Sequence, residues 1–134
     1  MVAVDTNVLL RSLVRDDVHL AERADKMLLG AGQASLLLDR LILAECTYVL
    51  RSYYEFDKAD IADWLAAIMG DSRFSVPDRE MVQATVALFG SEKPLSFEDC
   101  WLLALRHSEA VKAVATLDEK LAKRVEKKTA SHVS

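Results

Sequence analysis

The stretch Met1-Val2-Ala3-Val4-Asp5-Thr6-Asn7-Val8-Leu9-Leu10 changes period in its middle. Its first half is a brief, valine-rich apolar run, which predicts a short buried strand over residues 1–5. Its second half resumes apolar residues at helical spacing and predicts a helix over Val8–Val14, with Thr6 or Asn7 as the cap. An acid, Asp5, stands at the junction. A strand that passes directly into a helix over one acidic residue is how an α/β domain begins, and the rest of the chain repeats the pattern.

Three more short apolar runs follow: Ala34–Leu38, Phe74–Val76 and Val111–Ala115. Between and after them the apolar residues recur at helical spacing. Helices are predicted at about 17–29, Leu41–Tyr54, Lys58–Met69, Asp78–Phe89, Phe97–Ser108 and Glu119–Lys127. Gly30-Ala31-Gly32 closes the first of these and Gly70-Asp71-Ser72 the third. Short buried strands alternating with helices imply a parallel sheet covered on both faces. Such sheets bind ligands beyond the carboxyl ends of their strands.

The 134 residues suit a single domain spanning 1–134, with Thr129–Ser134 as a polar, frayed tail. Hydrophobic residues make up 51%, enough for a core and too many for a disordered chain. Cys46 and Cys100 make no disulfide framework and read as reduced thiols of a cytoplasmic protein. The start of the chain lacks a signal-peptide pattern, and no apolar run is long enough to span a bilayer.

The net charge of −4 is unevenly spread. Residues 1–99 hold 10 basic and 17 acidic groups, and residues 100–134 hold 7 basic and 4 acidic. The acidic balance does not mark the chain as an obvious nucleic-acid binder. The basic end, with Lys120, Lys123, Arg124, Lys127 and Lys128, offers either a solvated helix face or a contact for phosphates.

Four acids stand out by position. Asp5 ends the first apolar run, and Asp118 follows the last. Glu45 interrupts an apolar helical stretch on a face with Leu41, Tyr48 and Val49, where an ionised group needs a partner or a metal. Asp99 falls at the third helical position after Ser96, as in a capping box. Each has an ordinary explanation alone: an Asx turn at Asp5, an exposed helix site at Glu45, a cap at Asp99, and a helix start at Thr116–Glu119. Together they come from two strand ends, a helix middle and a helix start. Gathered, two carboxylates about 4 Å apart repel by roughly 4 kcal/mol at an effective dielectric near 20. A divalent cation would relieve that repulsion.

The words Val4-Asp5-Thr6-Asn7-Val8-Leu9-Leu10, Leu43-Ala44-Glu45, Ser96-Phe97-Glu98-Asp99 and Ala115-Thr116-Leu117-Asp118, in this order, resemble the PIN-domain ribonucleases. They are most similar to the VapC toxins of toxin–antitoxin pairs. The resemblance runs from residue 2 to about 124. It implies a PIN-like α/β/α sandwich with a short central parallel sheet of four or five strands. It implies a Mg²⁺- or Mn²⁺-dependent endoribonuclease that hydrolyses single-stranded RNA, held by a small antitoxin and forming a homodimer. The metal-binding acids it implies are Asp5, Glu45, Asp99 and Asp118. Thr6 and Thr116 would be their hydrogen-bond partners.

The polar tail departs from relatives that end on a further apolar strand, and Cys100-Trp101 beside Asp99 is unusual among them. Oxygen donors without a His or Cys cluster favour Mg²⁺ or Mn²⁺ over zinc. His19, His107 and His132 show no ligand spacing. Tyr53, Tyr54 and Trp64 read either as core or as a docking surface for the antitoxin. The alternatives are the same nuclease in RNA processing without an antitoxin, a non-catalytic RNA- or protein-binding module, and a haloacid-dehalogenase-like phosphatase. The last wants a second aspartate two residues after the first, where Asn7 stands.

Overall fold

The computed structural model describes the fold of residues 1–133 and the side chains of residues 1–126. Three short strands, β1 (Val2–Ala3), β2 (Leu36–Leu37) and β3 (Phe74–Ser75), form one parallel sheet in the order β1-β2-β3. Val2 pairs with Leu36 and Leu36 with Phe74, so each neighbour in sequence is also a neighbour in the sheet. Parallel neighbours need crossovers. Helices α1 (Thr6–Val14) and α2 (Val18–Leu28) make the first, and α3 (Arg40–Ser52) and α4 (Lys58–Met69) the second. Helices α5 (Arg79–Ser91), α6 (Phe97–His107) and α7 (Glu119–Val133) complete the chain.

The core gathers the apolar stripe of each helix. Leu43, Cys46 and Leu50 come from α3, Ile61 and Leu65 from α4, Val82 and Phe89 from α5, Leu103 from α6 and Leu121 from α7. Burying one such leucine, isoleucine or phenylalanine contributes about 1.5–3 kcal/mol. α5 lies close on α4 because position 90 is glycine. A methyl group there would meet the Ala62 Cβ at 2.9 Å.

Several boundaries differ from expectation for identifiable reasons. The sheet has three strands among the described residues, not four or five. The predicted strand Val111–Ala115 is consumed at its start by the end of α6. The backbone N–H groups of Ala110 and Val111 both turn back to the Leu105 carbonyl, and Glu109 takes a left-handed φ of 64°. What remains packs Val114 against the core, and among the described residues it forms no strand beside β1. β1 is therefore a sheet edge. Its residues are exposed rather than buried, and only Val4 of the opening run enters the core.

Helix α1 begins at Thr6 with Asp5 as its cap residue, not Thr6 or Asn7. α7 runs to Val133, past the Lys127 end and through most of the expected 129–134 tail. Ser134 lies outside the described residues. Among the described residues no helix is long and apolar enough to cross a membrane.

Candidate functional site

All three strands run the same way, so the residues just past them share one edge of the sheet. Asp5, two residues beyond β1, takes the N-cap position of α1 with extended backbone angles. A cap aspartate usually accepts a backbone N–H with its carboxylate. Asp5 makes no such bond, and its exposed carboxylate stays available to other donors or a cation. The next residue, Thr6, is buried, and its hydroxyl donates to Glu45 Oε2 at 3.0 Å. This bond joins residues 39 apart and ties the start of α1 to the middle of α3.

Glu45 is not on a buried apolar face. The core-facing side of α3 carries Leu43, Cys46, Thr47 and Leu50. Glu45 shares the opposite side with Leu41 and Tyr48, which are 75% and 70% exposed. Apolar residues cover both sides of this helix, and the charge sits on the solvent side. Its partner is the Thr6 hydroxyl.

Asp5 and Glu45 share an electrostatic neighbour, and Asp99 has a different one. The Cys46 thiol is pushed up to about 12, by burial first, then by Glu45 and then by Asp5. Asp5 and Glu45 therefore both act on one buried thiol. The Cys100 thiol is also pushed up to about 12, chiefly by burial. The carboxylates acting on it are Asp99, Glu92 and Glu98, against the opposing charge of Lys58. Both cysteines are buried and free.

Asp99 forms the predicted capping box. Ser96 Oγ accepts from the Asp99 N–H at 3.1 Å, and Asp99 Oδ2 accepts from the Ser96 N–H at 3.2 Å. Asp118 makes a local bond of the same kind. Its Oδ1 accepts from the N–H of Lys120 at 2.8 Å and of Leu121 at 3.4 Å, so Asp118 itself caps α7. Thr116 supports it through the backbone, with its hydroxyl oxygen accepting from the Asp118 N–H at 3.0 Å.

The donor chemistry suits an oxygen-preferring cation, since the available groups are carboxylates. Among the described residues no three His, Cys, Asp or Glu side chains are arranged as a group that could hold a metal ion. The structure bonds Glu45 to Thr6, the neighbour of Asp5 in the chain, and leaves Asp99 and Asp118 each tied to its own helix start. Of the histidines, His19 is exposed and His107 half-buried. The side chains of His132, Lys127 and Lys128 lie outside the described residues. Arg124, one of the basic residues of the C-terminal helix, makes a 2.6 Å ion pair with Glu92.

Two groups went unnoticed in the sequence. Lys58 is buried, and its ammonium donates to the carbonyls of Glu92 at 2.6 Å, Lys93 at 3.1 Å and Leu95. It also lies 4.4 Å over the Phe89 ring. Burial holds its ammonium below the usual lysine range. The helical stripe Ile61, Leu65, Ile68 extends back three residues onto Lys58, so the period of α4 contained the signal. Arg40 pairs with Asp78 at 2.8 Å and lies 4.5 Å over the Trp101 ring. Arg40 and Asp78 each lie three residues past a strand, and their pair spans the same sheet edge as Asp5.

These features define a parallel α/β domain that presents carboxylates past the carboxyl end of its first strand. A family model described as PIN domain matches residues 2–128, and the chain belongs to that family. PIN domains are generally metal-dependent nucleases. Neither a curated relative nor a solved structure matches the chain.

Proposed function

We propose that this protein is a metal-dependent endoribonuclease that hydrolyses single-stranded RNA, and that it is the toxin of a VapBC-type pair. The observation that carries the reading is the hydrogen bond from Thr6 to Glu45, beside an Asp5 carboxylate that makes no cap bond. It ties Glu45, from the middle of α3, to the residue that follows Asp5, across 39 positions of the chain.

Mg²⁺ or Mn²⁺ would be held by Asp5 and Glu45, with Asp99 and Asp118 as the further acids. When bound, the cation lowers the pKa of a water molecule and offsets charge on the departing oxygen. The chain's own residues do the rest. Thr6 fixes the Glu45 carboxylate, which orients the attacking water. Ser96 and Thr116 hold the segments that carry Asp99 and Asp118. Attack by water rather than the ribose 2′-hydroxyl leaves 5′-phosphate and 3′-hydroxyl ends.

An antitoxin finds an aromatic surface between α3 and α4. The Tyr53 and Tyr54 rings lie 4.9 Å apart, Phe56 lies 4.9 Å from Trp64, and Tyr53 is 76% exposed. Two buried, unpaired cysteines suit a reducing cytoplasm, and a homodimer is the expected assembly. Sequencing RNA ends after expression of wild type and Asp5→Asn tests the reading. New 5′-phosphate ends should appear with wild type alone. Equal cleavage by both proteins, or ends with 2′,3′-cyclic phosphate, would overturn it.

A further inference from the structure

A cationic groove lies beside the Asp99 cap, although the chain as a whole is acidic. It has a volume of about 240 Å³, and its lining includes Tyr48, Arg51, Lys58, Lys93, Ser96 and Glu98. Two of these residues connect it to the acids. Ser96 is part of its wall and also the partner of Asp99 in the capping box. Tyr48 lies three residues from Glu45, on the same exposed side of α3.

Three cations face one carboxylate, Glu98, in this lining. They have different parts. Lys58 is engaged by three carbonyls of the segment after α5, so it gives the wall fixed positive charge without a spare donor. Arg51 and Lys93 are exposed. One Arg51 nitrogen donates to the Phe56 carbonyl at 3.1 Å, and a guanidinium has further N–H groups to offer. The Tyr48 ring is 70% exposed at the groove. Cations that track a backbone, next to an aromatic face that takes a base, are what a single strand of nucleic acid needs. The same cations offset the repulsion that clustered carboxylates exert on a polyanion.

We propose that this groove is a subsite for single-stranded RNA, with Arg51 and Lys93 each meeting a phosphate of the strand and Tyr48 stacking on a base. The identity of the strand rests on the ribonuclease reading; the groove's charge and shape do not.

The test is fluorescence anisotropy of a short labelled single-stranded RNA titrated with the full chain in EDTA, at several salt concentrations. Arg51→Gln combined with Lys93→Gln should weaken binding about tenfold and flatten the slope of log K against log salt by about 1.4, roughly 0.7 for each lost phosphate contact. Tyr48→Ala should weaken binding with the slope unchanged. Arg51, Lys93 and Tyr48 are all exposed and only one exposed hydrogen bond, from Arg51, is given up, so thermal melting should stay close to wild type.

Affinity and slope unchanged in the double variant would overturn the subsite, as would a wild type that binds no RNA. Binding of an acidic peptide in place of RNA would assign the groove to a protein partner and also overturn it. A parallel cleavage assay with Mn²⁺ keeps the two readings apart. Cleavage that persists while the double variant binds like wild type removes the subsite alone. RNA held through the groove without Mn²⁺-dependent cleavage removes the nuclease reading alone.

Discussion

The Asp5–Glu45 corner and the Asp99 and Asp118 caps contain the same kind of side chain under different constraints. Asp99 and Asp118 bond to backbone N–H groups within three residues of themselves. Local helix geometry explains both of those positions. Glu45 is held by a hydroxyl from another helix, and Asp5 occupies a cap position without capping. Nothing local requires an acid at either place. An acid that stabilises its own helix says little about function, whereas one whose partner among the described residues comes from afar points to a task outside the fold.

Substitutions should separate the two groups. The largest effect on stability is expected from Lys58→Met, because Lys58 pins the segment 92–95 that leads into the Ser96 cap. Three carbonyls lose their donor, and chemical denaturation should show a loss of about 2–4 kcal/mol. A loss within error of zero would mean that water replaces the ammonium, and that the Asp99 cap stands without it.

Removing the cap itself should cost less. Ser96→Ala or Asp99→Asn is expected to lower stability by about 1 kcal/mol, while Asp5→Asn leaves the melting temperature unchanged or raises it by relieving repulsion with Glu45. Melting curves in which Asp5→Asn falls as far as Asp99→Asn would erase the distinction between the groups.

Much of this arrangement was legible in the sequence. The span of α4, Lys58–Met69, and the capping box at Ser96 and Asp99 both follow from spacing alone. Both are local, set by helical period and by bonds three residues long. The fourth strand was not legible, because Val111–Ala115 has the apolar character of the real strands. Whether such a run pairs depends on where α6 releases the chain, and here the Leu105 carbonyl captures its first residues.

Glu45 was misplaced for a related reason. α3 is apolar nearly all round, so period alone does not say which side meets the core. Lys58 was missed although it continues the buried stripe of α4, since a charged residue reads as the polar end of a helix. Its three carbonyl partners lie 34 to 37 residues away, beyond any local pattern.

We propose Asp5 and Glu45, the latter held by Thr6, as the heart of a divalent-cation site. Calorimetric titration with Mn²⁺ tests it most directly, using wild type, Asp5→Asn, Glu45→Gln and, as a control, the exposed acid in Glu22→Gln. Wild type and the control should bind alike, and the Asp5 and Glu45 variants should each lose at least about tenfold in affinity. Mn²⁺ bound equally by all four proteins, or by none of them, would contradict the claim.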